Sequence, residues 1–201
     1  MFGFGQLIGI LKKNPKKIVF TEGEDPRILE ASSRLLASYF LHPILIGDEK
    51  RIADAAEESG FNIRGAEIID PEKFDKIDEM VELYCELRKK KGVTPDQARE
   101  ILKQANYFGT MLVKMGFADA LLGGATYSTA DTVRPALQLI KTKPGNNLVS
   151  SCFILVRPSA TGDNEVLAMG DCAININPTE DDLVEIAGET AKCARIFYSI
   201  P

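Results

Sequence analysis

Histidine is almost missing from this chain: His42 is the only one, which excludes two-histidine zinc and iron sites. A Ser-His-Asp triad would have to use it, yet His42 leads directly into Pro43-Ile44-Leu45-Ile46, the pattern of a buried strand, and no G-x-S-x-G serine motif occurs. His42 is therefore read as structural. The four cysteines, Cys85, Cys152, Cys172 and Cys193, form no C-x-x-C pair and sit in apolar or helical patterns, as reduced intracellular thiols do. No apolar run approaches the roughly 18 residues of a membrane helix, and Met1 to Ile10 lacks the basic start and cleavage pattern of a signal peptide. Positive charge is also short, with 24 basic against 29 acidic residues and a net charge of -5. That balance lacks the basic field that nucleic-acid phosphates require. The clusters Lys89-Lys90-Lys91 and Lys141 with Lys143 read as solvated faces. These absences predict a cytoplasmic protein with no metal, no nucleic-acid partner and no membrane partner.

What is present is a regular alternation. Lys17 to Thr21 is a β-rich run closed by Glu22-Gly23-Glu24; Asp25 then caps a helix with Pro26 at its first position, along which Ile28, Ala31, Leu35 and Tyr39 recur. Pro43 to Ile46, Gly47-Asp48 and Lys50 to Ser59 repeat the strand, turn and helix. Glu67-Ile68-Ile69 is a third strand, followed by a helix through Met80, Tyr84 and Arg88. Two helices span Thr94 to Gly116, and a strand covers Ala118 to Leu122. Strands alternating with helices predict a parallel sheet with right-handed crossovers. The stretch Lys141 to Asn147 combines charge, proline, glycine and asparagine, so the expected domains are 1–143 and 144–201. Beyond it, Leu148 to Val156 and Val166 to Ile176 predict a hairpin around a polar turn, Pro158 to Glu165. Asn177, Pro178 and Glu180 predict the start of a helix from Thr179 to about Tyr198. Two strands and one helix cannot enclose a core alone, so the second α/β domain is expected to be incomplete.

The chemistry concentrates after the fourth strand. Gly123-Gly124 opens a turn, and hydroxyl side chains, a carboxylate and a guanidinium then crowd into Tyr127 to Arg134. The carboxyl ends of parallel strands are where ligands usually bind. Ser128 with Asp131 fits a helix cap, which accounts for those two residues without any ligand. Arg134-Pro135 is different, because proline seven residues past the cap removes a backbone donor and crowds the preceding turn. A kinked or restarted helix is expected there, leaving N–H groups beside Ser128, Thr129, Thr132 and Arg134 for a phosphate. Arg88, at a helix C-terminus, has a rival reading as a helix-dipole partner. Gly3-Phe4-Gly5 to Gly9 lacks the preceding strand and the spacing of a dinucleotide fingerprint, and no G-x-x-x-x-G-K-[ST] loop exists.

Several segments together resemble the phosphate acetyltransferases: Thr21-Glu22-Gly23-Glu24-Asp25-Pro26-Arg27-Ile28-Leu29-Glu30-Ala31, Glu86-Leu87-Arg88-Lys89, Asn106 to Met111, Asp119 to Thr142 and Asp171 to Pro178. The resemblance implies an α/β fold of the isocitrate/isopropylmalate-dehydrogenase-like type. It also implies reversible acetyl transfer between coenzyme A and phosphate. Acetyl-CoA, coenzyme A, phosphate and acetyl phosphate would be the substrates and products, with no tightly bound cofactor, in a homodimer or other homo-oligomer. An aspartate deprotonates the coenzyme A thiol in that family, and arginines hold the phosphate and developing charge. Carried across, Arg88 and Arg134 match two such arginines, Ser128 and Thr129 match hydroxyls lining the site, and Thr132 joins them as a substrate-binding residue. The catalytic residues stay unassigned, because the base and another arginine belong to a C-terminal part that this sequence lacks. The 201 residues are therefore expected to present half a site without turnover. Where some members carry a cysteine this chain has Val156-Arg157-Pro158-Ser159-Ala160, and Tyr127 stands where histidine is common. A phosphate butyryltransferase, or a non-catalytic remnant or binding module of the same fold, is the alternative.

Overall fold

In the computed structural model, residues 4–158 and 164–198 are described. The chain divides into two compact units, Leu11–Lys141 and Thr142–Pro201 with Met1–Ile10. A first helix, α1 (Phe4–Lys13), contains Gly5 and Gly9, which the dinucleotide fingerprint would have needed in a turn, whereas Gly3 lies outside the described residues.

In the larger unit, β1 (Lys16–Phe20), β2 (Leu41–Ile46), β3 (Glu67–Ile69) and β4 (Ala120–Leu122) form a sheet in the order β3-β2-β1-β4, every pair parallel. Between them run α2 (Pro26–Ser38), α3 (Glu49–Ser59), α4 (Ile77–Leu87), α5 (Pro95–Leu102) and α6 (Ala105–Lys114), and α7 (Thr129–Leu139) follows β4. Local chemistry sets the starts. Asp25 accepts the Arg27 N–H with Pro26 in the first turn, Asp48 accepts the Arg51 N–H, and Thr94 with Gln97 closes a reciprocal capping box.

Strand side chains alternate between faces, and the core divides accordingly. Val19, Ile44 and Ile46 pack with Met80, Tyr84, Phe108, Met111 and Leu112, whereas Phe20 and Leu45 pack with Ile28, Leu29, Ile52 and Ala56. Helices therefore cover both faces, as a parallel sheet requires. Gly109 brings α6 close: a Cβ there would lie 3.0 Å from both Leu121 and Val19. The chain begins in the middle of the sheet, winds outward through β2 and β3, then returns to the other side of β1. The winding thus reverses between β1 and β4, and the carboxyl ends of these two strands flank the topological switch point.

One local expectation changes. Tyr39 does not extend the buried stripe of α2; it ends the helix in a left-handed conformation (φ 56°) and is exposed, its N–H closing onto the Leu35 and Leu36 carbonyls. His42 lies on the exposed start of β2, just before the buried run Pro43–Ile46.

In the second unit, β5 (Cys152–Pro158) and β6 (Asn164–Gly170) pair antiparallel, with Cys152 opposite Gly170. The middle of the expected polar turn, residues 159–163, lies outside the described residues, and with it Ser159 and Ala160. The second strand ends at Gly170, six residues earlier than expected. Asp171 turns the chain there with φ 43°, its carboxylate accepting the Ile174 and Asn175 N–H groups. Helix α8 (Glu180–Tyr198) is capped by Thr179 rather than Asn177: the Asp182 N–H donates to Thr179 Oγ1 and the Thr179 N–H to Asp182 Oδ2. Asn177, at φ 55°, belongs to the preceding turn.

Candidate functional site

The loop from Gly123 to Tyr127 leaves β4 at the switch point and is held by a carboxylate from the neighbouring strand. Glu22, two residues past the end of β1, is 8% exposed. Its Oε1 accepts the Thr126 N–H at 2.5 Å, the Tyr127 N–H at 3.2 Å and the Thr126 hydroxyl at 3.1 Å. Its Oε2 accepts the Gly124 N–H at 3.1 Å and the Thr21 hydroxyl at 3.3 Å. Gly123 permits this closeness, since a Cβ there would fall 2.7 Å from Thr21 Oγ1. Arg27 adds a second tether. Its guanidinium forks onto Asp25 and donates to the Ala125 carbonyl at 2.7 Å.

Burial opposes the charge on Glu22, but the amides of Thr126 and Tyr127, the Thr126 hydroxyl and the Gly124 amide outweigh it, so the carboxyl titrates below the usual glutamate range. A depressed folded-state pKa contributes stability that is complete above the unfolded value of about 4.3 and is lost as pH falls through the folded value. Acid titration of Glu22→Gln should therefore show a shallower fall in stability below about pH 4.3 than the parent. Parallel acid limbs in the two proteins would contradict the assignment.

Ser128 begins α7 in an extended conformation (φ −67°, ψ 159°). Its hydroxyl accepts the Asp131 N–H at 3.2 Å and donates to Asp131 Oδ2 at 2.7 Å. Thr132 donates its hydroxyl back to the Ser128 carbonyl at 3.2 Å. Arg134 lies 3.6 Å from Asp131, with both side chains about half exposed. The amides of Thr129 and Ala130, in the first turn, have no acceptor within the helix.

The helix does not restart at Pro135: α7 runs from Thr129 to Leu139 with Pro135 inside it. The group orphaned by proline is the Asp131 carbonyl, four residues earlier, rather than any N–H. Asn106, at the start of α6 and 8% exposed, fills that vacancy by donating from Nδ2 at 2.8 Å. The groups this turn leaves for an anion are thus its ordinary first-turn amides, its hydroxyls and Arg134, and not N–H groups released by a break.

Arg88 stands apart from this group. It caps the C-terminus of α4, donating its N–H to the Tyr84 carbonyl at 3.0 Å. Its charge bears on the Tyr84 hydroxyl, while its Nε is buried without a partner. Tyr84 packs edge-on against Tyr107, whose hydroxyl donates to Gln138 of α7 at 3.3 Å. That chain of contacts links Arg88 to the far half of α7, but Arg88 bonds none of Ser128, Thr129, Thr132 or Arg134. Tyr127 is held protonated, its pKa raised by burial and then by the charges of Glu22 and Asp131.

A cleft of about 440 Å³ lies over the ends of β1 and β2, lined by Thr21, Glu22, Asp25, Gly47, Thr126 and Tyr127. Ser128, Thr129 and Arg134 continue from it as an open, exposed wall. A larger concavity of about 600 Å³ sits at the opposite, amino ends of the strands, among Tyr39, His42 and Arg64, where none of the hydroxyls or arginines of the candidate site reaches.

The sequence model of the phosphate acetyl/butaryl transferase family matches residues 4–201. The chain belongs to that family. A phosphate acetyltransferase from Bacillus subtilis is 49% identical over 181 residues, 90% of this chain and 54% of the relative. One from Thermoanaerobacterium thermosaccharolyticum is 44% identical over 94% of this chain and 57% of its own length. Among solved structures, a phosphotransacetylase from Streptococcus pyogenes superposes with a TM-score of 0.86 at 43% identity, covering 97% of this chain and 59% of that one. The chain thus spans a little over half the length of these relatives. Within this phosphate acetyl/butaryl transferase chain, three residues with structural roles at the site escaped the sequence reading: Glu22, Arg27 and Asn106. Glu22 and Arg27 lie in the first family-like segment, so the segment was visible, although its bonds to a loop about a hundred residues away were not.

Proposed function

We propose that this chain provides the phosphate and acyl-phosphate wall of a phosphate acetyltransferase, which interconverts acetyl-CoA plus phosphate with coenzyme A plus acetyl phosphate. The observation that carries this reading is the convergence of Ser128, Thr129, Thr132, Arg134 and two first-turn amides at the switch point of a chain whose relatives bear that name. Acetyl rather than butyryl transfer is supported by the names of the relatives at 42–49% identity.

In the direction of acetyl-CoA synthesis, the coenzyme A thiolate attacks the carbonyl carbon of acetyl phosphate. A C–S bond forms, the C–O bond to phosphorus breaks, and phosphate leaves with the electron pair. The Thr129 hydroxyl donates to the phosphate oxygens, and the Ser128 hydroxyl and Arg134 both turn from Asp131 to the phosphate, the planar fork of Arg134 matched to two oxygens. Arg88, with an Nε free of any protein partner, is the second arginine of the reading. The base that accepts the thiol proton is assigned to the part of the family fold that these 201 residues do not contain. Turnover by this chain in an acetyl-transfer assay would place the base among the residues here instead.

The reading includes a cytoplasmic homodimer with coenzyme A as a substrate and no tightly bound cofactor. Among the described residues no helix is long and apolar enough to cross a membrane, and the net charge of -5 supports the exclusion of nucleic acid. Titration calorimetry with inorganic phosphate tests the wall directly. Arg134→Ala is expected to weaken phosphate binding at least about tenfold, equivalent to about 1.4 kcal/mol. Unchanged affinity would remove Arg134 from the site.

A further inference from the structure

We infer that Glu22 is a positioning residue that acts as an internal anion: it fills the glycine turn after β4 and thereby assigns the incoming phosphate to the first turn of α7. This rests on the phosphate reading above and states what selects the phosphate position within that site.

Successive backbone N–H groups in a glycine-containing turn make a concavity suited to an anion. Here the amides of Gly124, Thr126 and Tyr127 converge on one carboxylate, Gly124 (φ 111°) on its Oε2 and the other two on its Oε1. The anion they hold is the protein's own. All five of the donors that meet Glu22 are neutral, so the carboxylate is held by hydrogen bonds, and the Arg27 guanidinium acts on its charge only from a distance, without bonding it. A phosphate cannot occupy those amides while the carboxylate does. It is left with the next donors along the chain: the Thr129 and Ala130 amides and Arg134, joined by the Ser128 and Thr132 hydroxyls once they turn from the Asp131 carboxylate and the Ser128 carbonyl. The same bonds fix the backbone as far as Tyr127, one residue before Ser128, so the carboxylate both excludes phosphate from one position and holds the adjoining one in place.

A simple loop clasp would not require a carboxylate. Five donors divide three to two between its oxygens, and only an ionised carboxylate offers acceptors on both sides. Glutamine would point an NH2 group at either the Gly124 pair or the Thr126 and Tyr127 set, releasing those amides.

The test follows backbone amide resonances of the 201-residue chain during titration with inorganic phosphate. In the parent, phosphate is expected to shift Thr129 and Ala130 and to leave Gly124, Thr126 and Tyr127 unmoved. In Glu22→Gln, affinity at Thr129 and Ala130 should drop at least about tenfold, with phosphate-dependent shifts appearing at the freed loop amides. The core resonances of Val19, Ile44 and Leu112 report that the fold persists. Glu22→Asp retains an ionised carboxylate and should restore the parental pattern in whole or large part. It also decides the matter if the glutamine variant does not fold: phosphate shifts at the loop amides in Glu22→Asp as strong as those at Thr129 would overturn the inference. Parental affinity at Thr129 and Ala130 in a folded Glu22→Gln, with no response from the loop, would reduce Glu22 to a loop clasp while leaving the phosphate reading intact. Absence of any phosphate-dependent shift in the parent would overturn the phosphate reading itself, and this inference with it.

Discussion

Phe108→Ala is expected to lower the stability of the Leu11–Lys141 unit by about 3–5 kcal/mol, the usual loss for a large aromatic in a packed interior. Phe108 is wholly buried on α6, in the cluster that joins β1 and β2 to α4, α5 and α6. Its ring meets Phe74 edge-on, with centroids 5.3 Å apart and planes at 87°, and Phe74 in turn meets Phe117 at 5.7 Å and 84°. Removing one end of this stack takes away apolar transfer energy and the quadrupolar contact with Phe74 together. The void cannot readily close, because Gly109 already holds the next turn of α6 at contact distance from Val19 and Leu121. Urea unfolding should show the midpoint falling with the slope unchanged. A loss under about 1 kcal/mol would mean that the segment around Phe74 collapses inward far more easily than this packing implies.

Asn106→Leu is the second large effect, with an expected cost of about 1–3 kcal/mol from leaving a half-buried carbonyl unpaired. The Asp131 carbonyl has lost its helical donor to Pro135 and depends on Asn106 Nδ2 at 2.8 Å. The interaction can be isolated with a second change. Pro135→Ala restores an N–H four residues after Asp131, so Asn106→Leu made in that background should cost less by about 1 kcal/mol. Additive costs in the double variant would show that Asn106 stabilises the chain by packing and not by satisfying this carbonyl. Because the same bond ties α6 to the first turn of α7, the single variant should also weaken phosphate binding in the calorimetric titration, whereas Phe108→Ala, still folded, should not.

Proline and arginine drew attention to the right turn for a partly wrong reason. Arg134-Pro135 implied a broken helix with spare N–H groups, because proline's local effect is to remove a donor and crowd the turn before it. The helix survives since another helix supplies the missing bond. Nothing near Pro135 in the sequence encodes that donor; it lies 25 residues upstream of the carbonyl it serves. The shift of the last helix cap from Asn177 to Thr179 is a smaller case. Both residues are good caps, and the competition was resolved by Asp182, which reciprocates with Thr179.

The sequence by itself determined the βα alternation of the first unit, the caps at Asp25 and Ser128, the hairpin and helix of the second, and the family. Each depends on interactions within a few residues, where spacing and side-chain type are sufficient, or on a long ordered match. Only the tertiary structure decided that Glu22, indistinguishable in sequence from a solvated glutamate, grips amides more than a hundred residues away. It also decided that Asn106 completes α7 and that Arg88 reaches that helix only through Tyr84 and Tyr107. Those pairings have no period along the chain: they exist because a parallel sheet sets β4 beside β1 and packs α6 against α7, and the bonds form only once those elements have met.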